Sequence, residues 1–329
     1  MAIHFLHDFR YWTEYLHPYL DPARFSLLRS QRADSSYPAP RLDPKNLAHQ
    51  DLVLAGHSNE AFAPHTRVLA RVQHSPGFGG EAFLHAYRWI HGSPRRMMIP
   101  GNVLALLRKT SRLAPHQLVL RDQLVANPKL LTTDCDPSLN HLYRSPRTST
   151  REPGTLLVAL NWRITGGPAE LEHGLFVIKL LAKSLSVRII AHPFSPARWV
   201  GSRLHEQLLA SCRELSLPIA VGVSRAELLR EFDRAEYILS DGSGSVYEAV
   251  ARGCKALLLD GLSYQRGAGV LAAARSGGYL PPTRAAEIDS HPGAAADLAW
   301  LRRLHPHSIV DASVGELAAA EIERVFADW

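Results

Sequence analysis

Residues 235–260, AEYILSDGSGSVYEAVARGCKALLLD, decide how the rest of the chain is read. The apolar run 235–239 reads as a strand, 240–245 as a Gly/Ser loop, about 246–252 as a helix and 256–259 as a second strand. The loop therefore sits where a strand ends and a helix begins. Backbone N–H groups and the positive end of a helix dipole emerge from such a loop, and the hydroxyls of Ser243 and Ser245 add donors. That combination suits a phosphate or diphosphate. The same string also describes an ordinary Gly-rich αβ turn that binds nothing.

Outward from this segment the pattern repeats. Strands are predicted at 155–160, 187–191, 219–223, 237–239 and 256–259, alternating with helices at 169–184, 202–215, 225–233 and 246–252. Ser224 followed three residues later by Glu227 predicts a capping box at the start of the third helix. Short apolar runs alternating with amphipathic helices predict an α/β protein with a doubly wound parallel sheet. The first half is looser but similar, with strands at 3–6, 52–55, 68–72 and 97–99 and helices around 13–20, 81–90 and 103–110. The polar stretch YRSPRTSTREPG, residues 143–154, predicts a linker between domains at 1–150 and 151–329. The run 313–329, SVGELAAAEIERVFADW, predicts an amphipathic helix packing onto one or both domains, with a crossing back to the first as one arrangement.

Composition narrows the function. A chain of 329 residues accommodates two domains of about 150 residues each. A hydrophobic content of 46% with 21% charged residues is that of a soluble globular protein. No run reaches the ~18 apolar residues of a membrane span. The start, MAIHFLHDFRYW, lacks a basic n-region followed by an apolar run, so no signal peptide is expected and the protein is assigned to the cytoplasm. Cys135, Cys212 and Cys254 have neither metal nor redox spacing and fit a reducing compartment without a structural disulfide. The formal charge of +6 points to a phosphorylated substrate or an anionic membrane face. Nucleic acid ranks below both, because no basic stripe is interleaved with aromatic residues.

Three groups of chemistry-bearing residues fall at predicted strand ends. His74, in QHSPGFGG, is placed to act as a general base or else to hydrogen-bond within its loop. His192, fixed by Pro193 at the exit of the VRII strand, could serve as a second base, steady a phosphate when protonated, or cap the local backbone. In the third group, Asp241 either accepts from a substrate hydroxyl or organises the loop of Gly242, Ser243, Gly244 and Ser245. Glu248, one turn into the helix, either meets a sugar hydroxyl or pairs with an Arg. Arg163, in the turn after 155–160, either clamps a phosphate or is solvated. There is no Walker A loop, dinucleotide GxGxxG or GxSxG elbow, and no histidine pair has convincing metal spacing, so no metal is predicted.

Taken in order, QHSPGFGG, LLVALNWR, IIAHP and SDGSGSVYEAVARGCKALLLD resemble the CDP-glycerol glycerophosphotransferase family, which builds teichoic-acid-like and capsular polyol-phosphate polymers. The resemblance covers roughly residues 68–260 and is best from 155 onward. It implies a GT-B-like architecture: two Rossmann-like, doubly wound parallel-sheet domains facing a cleft, with the nucleotide-linked donor held mainly by the C-terminal one. It also implies roles: His74 as general base, His192 on the donor phosphates, Asp241, Ser243 and Ser245 in the phosphate-binding loop, and Arg163 at the Trp-Arg position. Three positions depart from the family pattern: Ser75 replaces a Gly, Asn161 a Thr and Gly242 a Tyr.

The implied function is polyol-phosphate transfer from a CDP-linked donor to a hydroxyl of a cell-envelope glycan or polymer, without a redox cofactor and with metal optional. The partners would be donor and acceptor, with a peripheral contact at the inner membrane face through surface Arg and Lys and the 12–19 segment. The loop is also similar to that of nucleotide-sugar glycosyltransferases and of UDP-N-acetylglucosamine 2-epimerases. For an epimerase, Asp134, Asp136 and Glu170 make a poor carboxylate set. A non-catalytic assembly partner with the same fold is the remaining alternative.

Overall fold

The computed structural model describes residues 3–7, 17–29, 52–55, 67–72, 96–100, 115–133, 135–159, 168–190, 203–220, 223–260, 275–325 and 327. It contains two sheets, parallel throughout. The first is built from β1 (Ile3–His7), β2 (Phe25–Arg29), β3 (Leu52–Ala55), β4 (Arg67–Val72), β5 (Arg96–Pro100) and β6 (Leu130–Thr133), in the order β2-β1-β3-β4-β5-β6. The second comprises β7 (Glu152–Val158), β8 (Ser186–Ile190), β9 (Ile219–Ala220), β10 (Ala235–Ser240) and β11 (Lys255–Leu258), in the order β11-β10-β7-β8-β9. The described helices are α1 (Pro115–Val125), α2 (Pro137–Arg144), α3 (Pro168–Leu181), α4 (Arg203–Glu214), α5 (Arg225–Arg234), α6 (Ser245–Ala251), α7 (Ala294–Leu304) and α8 (Gly315–Val325). Every strand and helix read from the second half is present, with ends shifted by a few residues. β2, β6, α1, α2 and α7 are additions. Residues 81–90 and 103–110, read as helices, lie outside the described residues; of 13–20, the described part is a 3-10 turn at His17–Tyr19.

The second sheet is doubly wound because its strands alternate in the side they bury. Leu156 and Val158 of β7, Leu239 of β10 and Leu257 of β11 pack with α3 and α4. Leu157, Ile238 and Ala256 pack on the opposite face with α2, α5, α6 and α7. Helices therefore cover both faces, as a parallel sheet requires. α6 is buried at six of its seven positions, and Tyr247 stacks on Trp300 with centroids 5.6 Å apart. Removing such a fully enclosed aromatic costs about 3–5 kcal/mol.

Charge secures the amino-terminal edge of this sheet. Arg252, just after α6, donates to both carboxylate oxygens of Asp233 at 2.7 and 2.8 Å. It also donates to the carbonyls of Leu142, Ser145 and Pro146 at 2.7–2.9 Å. Thr148 donates its N–H and hydroxyl to the same Asp233. The stretch read as a linker thus begins in the last turn of α2, is anchored by hydrogen bonds through its middle and ends in β7. An Asp-Pro pair starts α2: Asp136 is the N-cap and accepts from the N–H groups of Ser138 and Leu139, both at 2.9 Å.

The C-terminal helix crosses back. The Tyr19 hydroxyl lies 3.1 Å from Ser313 Oγ, the Asp21 N–H donates to Glu323 at 3.3 Å, and the Tyr19 ring rests against Gly315. Residues 17–21 lead directly into β2, so α8 is tied to the first sheet's own chain. All three cysteines are buried thiols; burial pushes Cys212 up to about 11 and raises Cys254 as well. No helix among the described residues is long and apolar enough to cross a membrane.

Candidate functional site at the carboxyl edge of the second sheet

The strand order β11-β10-β7-β8-β9 creates one place where the winding reverses, between β7 and β10. β7 runs on to β8 and β9 on one side, and the chain then returns to place β10 on the other. In open α/β sheets this switch point, at the carboxyl ends of the strands, is where ligands bind. The register pairs Leu157 with Ile238 and Val158 with Leu239. The residues that follow, Ala159 and Ser240–Ser245, therefore emerge side by side.

The loop is built from within. Ser240, fully buried, accepts from the N–H groups of Gly242 and Ser243, both at 3.1 Å, which folds the chain back over the strand end. Gly242 sits at φ +95°, a left-handed conformation that a side chain disfavours. This accounts physically for the glycine where the resembling family carries a Tyr. Asp241 is buried at the turn. Ser243 donates its hydroxyl to the Ala159 carbonyl at 3.1 Å and so bridges the ends of β10 and β7. A hydroxyl has one proton. In the Ser243–Ser245 contact, Ser245 is therefore the donor.

The two hydroxyls expected to reach a phosphate are thus engaged inside the loop. What remains is the backbone. Gly244 is the N-cap of α6 and no side chain caps the helix, whose first bonded amides are Val246 to Ser243 and Tyr247 to Gly244, each 3.2 Å. Among the described residues, the Gly244 and Ser245 N–H groups have no protein acceptor. They are the donors an anion would meet.

Glu248 is buried and accepts from Arg225 Nη1 at 2.8 Å, the pairing role rather than the sugar-contacting one. Asp136, weighed as an epimerase carboxylate, is committed to capping α2. Burial raises its pKa, Glu248 adds to that, and the Ser138 and Leu139 hydrogen bonds only partly counter it. His74, Arg163 and His192 lie outside the described residues, as does Asp134. Among the described residues no cluster of His, Cys, Asp and Glu could hold a metal ion.

Sequence reasoning missed a second polar group on this edge. Asp260 lies two residues past the end of β11, next to Leu259, whose N–H donates to the Ser240 carbonyl at 2.7 Å. Arg275 Nη1 donates to both its carboxylate oxygens at 2.7 and 2.8 Å, and Arg284 Nε lies 2.9 Å from Oδ2. His173 Nε2 donates to its carbonyl at 3.1 Å. An acid closing a buried strand, in KALLLD, was the available signal; its basic partners are distant in sequence.

Two parallel sheets, each wound in both directions, with a C-terminal helix returning to the first, can be compared with solved folds. The wall teichoic acid polymerase TagF superposes with a TM-score of 0.54 at 8% identity, covering 99% of this chain and 89% of that one. The architecture is GT-B. A Listeria monocytogenes protein assigned as a UDP-N-acetylglucosamine 2-epimerase matches with a TM-score of 0.52 at 11% identity, covering 100% and 97% of the two chains. WaaG, a glycosyltransferase of lipopolysaccharide biosynthesis, matches with a TM-score of 0.50 at 10% identity, covering 98% and 99%. No protein-family model and no curated sequence matches this chain. At these identities the likeness is one of fold.

Proposed function

We propose that this chain transfers a polyol phosphate, such as glycerol phosphate, from a CDP-linked donor to a hydroxyl of a cell-envelope glycan or polymer. The observation that carries this reading is the 240–245 loop at the switch point, with the Gly244 and Ser245 amides lacking protein acceptors among the described residues. The motif order from QHSPGFGG to SDGSGS supports a polyol phosphate over a sugar. The fold shared with TagF, one structure of which comes from a soak with CDPG, is compatible with it. Domains at 1–150 and 151–329 would divide acceptor from donor binding.

In this scheme the acceptor oxygen attacks the donor's β-phosphorus while His74 takes the hydroxyl proton. The bond from that phosphorus to the bridging oxygen breaks, and CMP leaves with the electron pair. The Gly244 and Ser245 amides, His192 and Arg163 offset charge on the transferred phosphate and on CMP. Asp241 and Gly242 shape the loop, Ser243 and Ser245 hold its form, and Glu248, paired with Arg225, steadies α6 beneath it. The transfer is redox-neutral. The work would be done in the cytoplasm, at the inner face of the membrane.

Thermal shift with CDP-glycerol, CDP-ribitol, CMP, UDP and UDP-N-acetylglucosamine tests the reading. A donor at 100 times its Kd adds about 2.7 kcal/mol of apparent stability. Stabilisation by CDP-polyols and CMP is expected, with His74→Ala abolishing transfer while donor binding persists. A response to UDP ligands alone would replace the reading with a nucleotide-sugar enzyme. Silence from every nucleotide would replace it with a non-catalytic partner.

A further inference from the structure

At the opposite, amino-terminal edge of the second sheet lies a cavity of about 250 Å³, between α2, the end of α6 and the start of α7. Leu142, Val250 and Leu298 form an apolar wall, and Ser145, Arg147 and Gly253 a polar one. Three arginines gather here, Arg147, Arg151 and Arg252, around one carboxylate, Asp233. Arg252 has all its donors engaged by Asp233 and three carbonyls. Arg151 donates to the carbonyls of Phe232, Ala235 and Arg252 and to Cys254 Sγ. Arg147 differs. Its guanidinium lies over Gly253 and, among the described residues, makes no hydrogen bond or ion pair. Burial depresses its pKa, and the neighbouring Arg151 depresses it further.

The end of α6 does not need Arg147 as a cap. The Val250 carbonyl accepts from Gly253 N–H at 2.8 Å, Ala249 from Cys254 at 2.9 Å, and Arg252 from Arg151 Nη2 at 2.7 Å. A cation left over beside the apolar wall of this half-open cavity matches one ligand chemistry. We propose that this cavity binds a small oxyanion carried on an apolar body, with Arg147 as its cationic anchor. The anionic group is a phosphate ester or a carboxylate, and the body lies against Leu142, Val250 and Leu298. The site is separate from the switch-point loop and does not depend on the transfer reaction proposed above.

Calorimetric titration of the full chain with phenyl phosphate, benzoate and inorganic phosphate tests this. At least one aryl anion is expected to bind more tightly than inorganic phosphate, and whichever binds best identifies the anionic group. Arg147→Gln should weaken that binding about tenfold or more, the loss of one charge-assisted contact. Ala295→Phe, which fills the cavity from an exposed helix position, should abolish it, whereas Ser245→Ala should leave it unchanged. Both cavity substitutions are at exposed positions and preserve the fold, which a thermal melt verifies. No binding by either aryl anion, or equal affinity in Arg147→Gln, overturns the proposal.

Discussion

α6 joins two unlike edges of the second sheet. Its first residue leaves a loop of Gly and Ser, where hydroxyls bond one another and two backbone amides have no protein acceptor among the described residues. Its last residue leads into Arg252, whose guanidinium makes five hydrogen bonds to a carboxylate and to three carbonyls. At one edge the loop keeps backbone donors in reserve. The other is charged and ties the amino ends of the strands to α2 and the segment before β7. The difference teaches that the anchor and the candidate binding loop sit at opposite ends of one short buried helix, so that a change in the loop need not loosen the sheet.

The sharpest way to break this comparison is at the charged edge. Arg252→Ala leaves Asp233 buried without its main partner and should cost about 3–5 kcal/mol, read from the urea midpoint. A cost below about 1 kcal/mol would mean that the edge is held by packing alone. The same variant sharpens the pH dependence. Burial alone would raise the Asp233 pKa, but hydrogen bonds from Arg252 and Thr148 outweigh it and hold the carboxyl below its usual range. Its contribution is therefore complete above the unfolded value of about 3.9 and is lost as pH falls through the lower folded value. Acid titration of stability should show that limb in the native chain and a diminished one in Arg252→Ala.

The loop edge should respond differently. Gly242→Ala forces a side chain into the left-handed region and should cost about 1–2 kcal/mol. It should also remove the thermal shift produced by the donor, because the loop amides depend on that turn. Loss of stability with donor response intact would show that the turn serves folding only.

The smallest effect lies between the two edges. Asp136→Asn keeps an oxygen to cap α2 and removes a buried charge near Glu248. It should change stability by less than about 1 kcal/mol at neutral pH, with a slight gain. Because burial raises the Asp136 pKa, the native carboxyl costs stability at neutral pH, and that cost disappears as pH falls through the raised value. A loss well above 1 kcal/mol in Asp136→Asn would show that the charge is needed at the helix start.

The elements legible in the sequence were those whose signals are local. The capping box at Ser224 forms as read, with Glu227 reaching back to the Ser224 N–H at 2.7 Å. β10, the loop and α6 could be read because a strand, a Gly/Ser turn and a helix follow one another without interruption. β2 (FSLLR) and β6 (LLTT) were missed because such short stretches show no alternation and become strands only when neighbours pair with them. α2 was missed although Asp136-Pro137 announces its start, since the polar stretch that follows drew the reading toward a linker. At the candidate site, the sequence placed the Gly/Ser loop at a strand end but did not show its hydrogen bonds. Ser243 turns to Ala159, 84 positions away, and no local pattern encodes that choice.

By itself, then, the sequence determined the period of each segment, the parallel α/β class, the caps and the glycine-bearing loop at a strand end, because these follow from neighbours within a few residues. Tertiary structure alone decided the strand order that sets β10 beside β7, the return of α8 to residues 17–21, the pairing of Glu248 with Arg225 and the Arg252 anchor. It also decided which arginine at the far edge has no partner among the described residues. These depend on which backbone carbonyls and carboxylates are brought together at separations from 19 to 302 residues. Buried charges and hydroxyls take the partners that packing supplies, and packing is settled only when the whole sheet has formed.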